Sequence, residues 1–423
     1  MSNKKTEKRL KKLPLIITLA VLTVLAIVGV ALASTGVISG RADTDTSVDT
    51  DTSTDTDTLK PKPLRLTIAA VGDIMMGTDY PSPKLPPQNG ALLFAQAAPV
   101  LRAVDIAFGN LEGPITSSKG CAKNTASGKS FAFRSPPTLA GNLLSAGFDV
   151  MSLANNHSRD FGYAGMSQTK RILDSLGIKY SSKNGEIAEF EIKGLKIGLI
   201  AFSTGSAPRS ILNIDMCRSE VEKLALQYDI LIVSFHGGTE GTKALHTANK
   251  FENLYGEPRG NVVKFAHQMI DAGADIVIGH GPHVPRAMEI YKHKIIAYSL
   301  GNFCTYRCMR LSAELGYAPI VVFELDSTGN FMQGEVHSFR QFPPGGPRLD
   351  STEQAFKLIC KLSTADFPNS APQFGKSMKF YSPEFTDTAS SKSADAVPLK
   401  PEPDSSSCND SSAKPMLKPQ RTS

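Results

Sequence analysis

The sequence predicts an α/β protein, a mixed α/β sandwich flanked by helices, and three observations predict it. Apolar runs of strand length alternate with helical patterns from residue 64 onward. Short turn signals such as Lys193-Gly194 then join later strands into hairpins. Finally, four apolar runs end in polar clusters: Gly72-Asp73, Asn155-Asn156-His157, His236-Gly237-Gly238 and Gly279-His280-Gly281-Pro282-His283. Open α/β sheets carry their sites at such carboxyl ends of strands.

Taken in order, Leu64–Val71 reads as a strand, Leu93–Arg102 as a helix and Asp105–Phe108 as a short strand. Pro137–Ala146 has a helical pattern, Phe148–Leu153 is a strand and Gly165–Leu176 a helix. Ile187–Ile192 and Leu195–Phe202 form a hairpin. The helices Ser219–Gln227 and Asn261–Ala272 each precede an apolar strand, Ile230–Phe235 and Ile276–Ile278. Ala287–Tyr291 with Ile295–Ser299, and Ile320–Leu325 with Gly334–Phe339, read as further hairpins.

The ends differ in character. Residues 1–13 form a basic segment carrying +5 of the chain's net +6, while residues 43–57 hold six aspartates. Charge is segregated into ends and linkers, with no basic stripe interleaved with aromatics, so nucleic acid is excluded as a partner. Leu15–Ala33 is nineteen residues long and apolar but for Thr18 and Thr23, close to the ~20 that cross a bilayer. The reading is a signal-anchor at 14–34 in the cell membrane, single-pass, with a cytoplasmic N-terminus and an extracytoplasmic C-terminal domain. A form cleaved after Ala31-Leu32-Ala33 and secreted is the alternative. An Asp/Thr-rich disordered linker at 35–63, a folded domain at 64–373 and a disordered tail at 374–423 complete the organisation. Outside the cytoplasm the six cysteines can form disulfides; Cys304 and Cys308 can pair with each other or with Cys121 or Cys217, and Cys408 lies in the tail.

The clusters carry metal chemistry. His280 and His283, just past a strand, can converge on one ion, and Asp73 at the end of the first strand offers a carboxylate. Glu112, in Gly109-Asn110-Leu111-Glu112, can bridge two ions. Asn156 offers a neutral carbonyl and His157, with Asp160 nearby, a ligand or general acid. His236 stands at the mouth of a buried strand. His246, His267, His293 and His337 lack this placement and read as structural. Arg286, Arg259 and Lys243 lie near the motifs, where they can receive a polyanion, and Glu240 and Asn302 are further candidates for substrate contact.

Gly72-Asp73-Ile74-Met75, Asn110-Leu111-Glu112, Leu153-Ala154-Asn155-Asn156-His157, the run from Gly273 to His280 with Pro282-His283-Val284, and Tyr298–Phe303 resemble, in order over about 66–340, the CapA family of capsule or poly-γ-glutamate biosynthesis proteins. That family looks like a branch of the calcineurin-like metallophosphoesterases. The resemblance implies a four-layer α-β-β-α sandwich with one or two divalent ions (Mn, Zn or Fe) between the sheets. It implies Asp73 and His283 on one ion, Glu112 bridging, and Asn156, His236 and His280 on the second, with His157 protonating a leaving group as a metal-bridging water attacks. Position 75 is Met where those enzymes carry the histidine of Asp-x-His. The first ion is thereby short of a nitrogen ligand and is weak, absent or completed from elsewhere.

Three functions follow. The first is a membrane-anchored component of anionic-polymer synthesis, export or attachment, working with membrane-bound polymer-synthesis subunits. The second is an independent metal-dependent hydrolase of phosphoesters or amides, and the third a non-catalytic polymer-binding scaffold.

Overall fold

The computed structural model describes residues 64–384, apart from 122, 126–129, 184 and 206–207. The strands are β1 (Arg65–Met75), β2 (Ile106–Leu111), β3 (Val150–Ser152), β4 (Lys179–Ser181), β5 (Ala188–Ile192), β6 (Leu195–Ser203), β7 (Ile230–His236), β8 (Glu252–Leu254), β9 (Glu257–Gly260) and β10 (Ile276–His280). They continue with β11 (Met288–Tyr291), β12 (Lys294–Ala297), β13 (Asn302–Thr305), β14 (Ile320–Asp326), β15 (Phe331–His337), β16 (Phe339–Gln341), β17 (Pro347–Leu349), β18 (Gln373–Phe374) and β19 (Lys379–Tyr381). The helices are α1 (Ala98–Leu101), α2 (Gly141–Ala146), α3 (Gly162–Leu176), α4 (Ile214–Ala225), α5 (Val262–Asp271) and α6 (Gln354–Asp366).

Two sheets organise these elements. The first runs β18-β19-β15-β14-β1-β2-β3-β4, with β13 also paired to β1; the second runs β11-β12-β10-β7-β6-β5. β1 to β4 are mutually parallel, as are β6, β7, β10 and β12, and both sheets are completed by antiparallel strands. β7 is buried along its whole length, as a run apolar but for Ser234 and the closing His236 suits a strand covered on both faces. One core, including Ile68, Phe108, Ile232, Ile278 and Phe323, fills the space between the sheets. A second joins the outer face of the first sheet to Leu101, Leu143, Met166 and Leu173 of α1–α3. A third joins the second sheet to Val221 of α4 and Phe265 and Met269 of α5. The layers thus run helices, sheet, sheet, helices.

Local chemistry sets the boundaries. Asn213 and Asn261 cap α4 and α5, accepting from the backbone N–H of Met216 and Lys264. The hairpins β5–β6 and β11–β12 turn on Lys193-Gly194 and Lys292-His293, all at positive φ, as two-residue hairpin loops require.

Several expectations are corrected. Leu93–Arg102 is helical only over Ala98–Leu101, Pro99 having entered at the first turn. The domain continues past 373: Phe374 and Phe380 pack on the inter-sheet core, and β19 pairs with β15, so residues 374–384 are structured, while 385–423 lie outside the described residues. β13 and α6 appear where no element was expected. The five described cysteines, 121, 217, 304, 308 and 360, are free thiols; Cys304 belongs to the apolar core and burial pushes its thiol well up. Among the described residues no helix is long and apolar enough to cross a membrane, which runs against the single-pass anchoring and membrane localisation read from the sequence. The segments 1–13, 14–34 and 35–63 lie outside the described residues.

Candidate metal centre

The carboxyl ends of the parallel strands in both sheets converge. In register with Asp73 on β1 are Asn110 of β2 on one side and Asn302 of β13 on the other. His236 and His280 close β7 and β10 as register partners. Asn110 Nδ2 donates to Asp73 Oδ1 at 2.8 Å and reaches Glu112 Oε2 at 3.3 Å. His283 Nδ1 sits 2.8 Å from Asp73 Oδ2, and its Nε2 lies 3.7 Å from Glu112 Oε1. That same oxygen is 3.9 Å from His236 Nε2. Asp73, Glu112 and His283 each offer a ligand atom within 4.8 Å of the others. His283 adopts φ +60°, a left-handed conformation uncommon for a non-glycine residue and worth a functional explanation.

All these side chains are buried: Asp73, Glu112 and Asn302 at 0% exposure, His236 and His280 at 1% and His283 at 6%. Yet Glu112 Oε1, His236 Nε2, His280 Nδ1 and Asn302 Oδ1 have no hydrogen-bond partner among the described residues. Buried polar atoms are ordinarily paired, so donor atoms left unpaired at one place fit a cation. His280 adds a second sign: its Nε2 donates to the Val71 carbonyl at 3.1 Å, which fixes the tautomer that leaves Nδ1 a free acceptor. Imidazole with carboxylate suits Mn, Fe or Zn.

The charges are strongly coupled. Burial alone would raise Asp73, but its bond to His283 and the charges of His283, His280 and His236 hold it well below the usual carboxylate range. Burial and the Asp73 charge push Glu112 well up. Burial also opposes charging His283, but Glu112, Asp73 and Glu240 overcome it and take that imidazole to about 10. His236 and His280 are driven down, chiefly by burial. One acid raised beside one lowered is what two carboxylates sharing a site produce.

His157 lies beside this cluster in a polar triangle. Its Nδ1 is 2.9 Å from Asp160 Oδ2, which also accepts from the Phe133 N–H at 2.8 Å. Lys123 Nζ lies 3.2 Å from His157 Nδ1 and 3.2 Å from Asp160 Oδ1. Burial lowers the His157 imidazole against the pull of Asp160, favouring a neutral ring whose Nε2 can exchange a proton.

Three expected site residues, Asn156, Arg286 and Arg259, are not where the sequence reading put them. Asn156 is exposed; the amide turned inward belongs to Asn155, whose Nδ2 donates to Asn110 Oδ1 and the Leu111 carbonyl at 3.0 Å each. Asn155 Oδ1 accepts from the His157 N–H, and this side-chain turn projects Asn156 outward. Arg286 is not available to a substrate: it is 1% exposed, its two terminal nitrogens grip Glu252 at 3.0 and 2.9 Å, and one also donates to the Thr239 carbonyl. Arg259 is likewise buried, bonded to the Gly238 carbonyl at 2.8 Å and paired with Glu240 at 3.1 Å. Lys243 is exposed. Glu240 reaches within 4.0 Å of His283 Nε2, and Asn302 lies at the centre, its Nδ2 donating to the His283 carbonyl at 3.1 Å. Lys123 and the organising role of Asn110 went unread in the sequence; Asn110 sits two residues before Glu112, the spacing that puts both on one face of a strand. Lys123 carries no local signal.

Residues 67–307 match the bacterial capsule synthesis protein family PGA_cap, and the chain belongs to that family; the match ends short of the 340 expected. It is 32% identical over 259 residues to the PGA biosynthesis protein CapA of Bacillus subtilis (strain 168), covering 56% of this chain and 63% of that protein. It is 29% identical over 272 residues to the capsule biosynthesis protein CapA of Bacillus anthracis, covering 56% and 59%. The matches thus span about three-fifths of the length of these relatives. Among solved structures, a putative 5'-nucleotidase from Staphylococcus aureus is similar over 71% of this chain and 58% of its own, at 17% identity and a TM-score of 0.38.

Proposed function

We propose that this protein takes part in the synthesis, export or attachment of a capsule or poly-γ-glutamate-like polymer, through a divalent-metal centre formed by Asp73, Glu112, His236, His280 and His283. Family membership and the names of its relatives support the polymer context. The observation that carries the metal reading is the set of buried atoms without partners: Glu112 Oε1, His236 Nε2, His280 Nδ1 and Asn302 Oδ1. Such an ion supplies Lewis-acid polarisation of a phosphoryl or acyl oxygen. The chain's own residues supply the rest. Asp160 orients His157 at Nδ1, so that its Nε2 can take a proton from the attacking nucleophile and return it to the leaving group, and Asn110 holds Asp73 and Glu112 at fixed separation. A phosphoester or amide of an anionic polymer or its precursor is the substrate class this arrangement serves.

The test is elemental analysis of the purified full-length chain, prepared without chelator or affinity tag, beside Asp73→Ala and His280→Ala. One or two transition-metal ions per chain, lost in the variants, is the expected result. A folded wild-type chain that stays empty after reconstitution with Mn²⁺, Zn²⁺ and Fe²⁺ overturns the metal reading and favours a scaffold that binds polymer without chemistry.

A further inference from the structure

Asp73, Glu112 and His283 each offer a ligand atom within 4.8 Å of the others. Three protein donors leave a coordination position that a further element can fill.

We infer that Glu240 is a direct protein ligand of the metal centre, adding a donor to Asp73, Glu112 and His283. This rests on the reading of a divalent ion at the cluster and specifies how that ion is held. Glu240 lies on the loop after β7, between Gly238 at φ +83° and Gly241 at φ +89°. These left-handed glycines fold the loop back, and the Gly241 N–H donates to the Pro282 carbonyl at 2.9 Å. The loop is thereby tied to the one that presents His283. Glu240 Oε2 comes to 4.0 Å from His283 Nε2, while Glu112 Oε1 is 3.7 Å from the same nitrogen and 3.9 Å from His236 Nε2.

Donors bound about 2.0–2.2 Å from a common ion lie roughly 3–4 Å from one another. The successive pairs Glu240 Oε2–His283 Nε2, His283 Nε2–Glu112 Oε1 and Glu112 Oε1–His236 Nε2 have separations of this order, and Glu240 thus adjoins the group formed by Asp73, Glu112 and His283. Glu112 Oε1 and His236 Nε2 are at least nine-tenths buried and have no partner among the described residues. The other oxygen of Glu240 is occupied: Oε1 pairs with Arg259 Nη2 at 3.1 Å, and Arg259 also bonds the Gly238 carbonyl at 2.8 Å and the Gly281 carbonyl at 3.4 Å. Arg259 therefore aims Glu240 from behind, as partners of ligating carboxylates commonly do.

The experiment is a titration of the metal-free full-length chain with Mn²⁺, comparing wild type, Glu240→Gln, Glu240→Asp and the exposed control Glu257→Gln. Both Glu240 variants are expected to weaken Mn²⁺ binding at least about tenfold or to lose one ion per chain, with Glu257→Gln unchanged. Glu240→Asp keeps the charge beside Arg259 but withdraws the carboxylate by one methylene, so it separates ligation from the ion pair should the glutamine variant fold poorly. Unchanged Mn²⁺ affinity in a folded Glu240 variant overturns the inference and leaves the centre standing on its other ligands. Absence of Mn²⁺, Zn²⁺ and Fe²⁺ binding by wild type overturns the metal reading itself.

Discussion

The Arg286–Glu252 pair gives a prediction whose size follows from burial. Both terminal nitrogens of Arg286 bind the two carboxylate oxygens at 3.0 and 2.9 Å, with side-chain exposures of 1% and 9%. Glu252 Oε2 also accepts from the Thr239 N–H at 2.8 Å, anchoring the β8–β9 hairpin on the loop after β7. Glu252→Gln keeps the shape but leaves the guanidinium buried without a counter-charge. Breaking such a pair from one side costs about 3–5 kcal/mol, read as the loss of unfolding free energy in urea at pH 7. The double variant Glu252→Gln with Arg286→Met is expected to lose less than the sum of the single losses. Burial by itself would raise the Glu252 carboxyl, yet the bond and charge of Arg286 hold it below its ordinary 4.5. A depressed folded-state value contributes stability that is present above the unfolded value and lost as pH falls through the folded one. The gap between wild type and Glu252→Gln is therefore full at pH 7 and narrows below about 4.5. A variant within about 1 kcal/mol of wild type at pH 7, the range of solvated surface pairs, refutes the reasoning.

Two further outcomes are expected. A Cβ at Gly72 would stand 2.0 Å from the Gly301 carbonyl oxygen and 2.7 Å from that of Leu300, so Gly72→Ala is expected to lower stability by at least about 1–3 kcal/mol. Gly120→Ala, with nothing within 4 Å of its added carbon, should stay within about 0.5 kcal/mol; equal melting curves for the two would show that the two backbones do not approach. Peptide mapping after maleimide labelling in denaturant, without reductant, should find the thiols of Cys121, Cys217, Cys304, Cys308 and Cys360 all labelled, and a linked Cys304–Cys308 peptide would contradict the free-thiol arrangement.

Legibility in the sequence followed the physics of each element. Strands covered on both faces, such as Ile230–His236, announce themselves because nearly every position is apolar, Ser234 and the terminal His236 excepted. The carboxylates and histidines at strand ends were readable for the same reason: a polar cluster after such a run has few places to go except the edge of the sheet. Asn155 and Asn156 show the limit. Adjacent identical side chains have equal composition, and only the turn closed by Asn155 Oδ1 on the His157 N–H decides which points inward. Arg286 and Arg259 were read as open to a polyanion because their partners, Glu252 and Glu240, lie 34 and 19 residues away in sequence. β19 was hidden for a different reason: a three-residue strand in a Ser- and Lys-rich stretch gives almost no periodic signal, and it is held between β18 and β15 with Phe380 packing on Phe323 and Phe331.

The irregularity of β1 explains why the two sheets meet where they do. Its register against β2 shifts between Ala70 and Asp73, and against β13 between Asp73 and Ile74. A shift of this kind breaks the ladder and re-aims side chains, which is why such bulges recur beside active sites. Here the break leaves the Val71 carbonyl to accept from His280 of the opposite sheet, and Gly72 allows Gly301 to approach so closely that the Asp73 N–H donates to its carbonyl at 2.9 Å. Asp73 is thus presented to His283 by the same distortion that orients His280. The arrangement has a thermodynamic consequence. Each buried polar atom left unpaired costs about 1–3 kcal/mol, and four of them gather at this edge. On the proposed metal reading, a bound ion would satisfy several at once, so folding and ion uptake would be linked and the metal-free chain is expected to melt at the lower temperature.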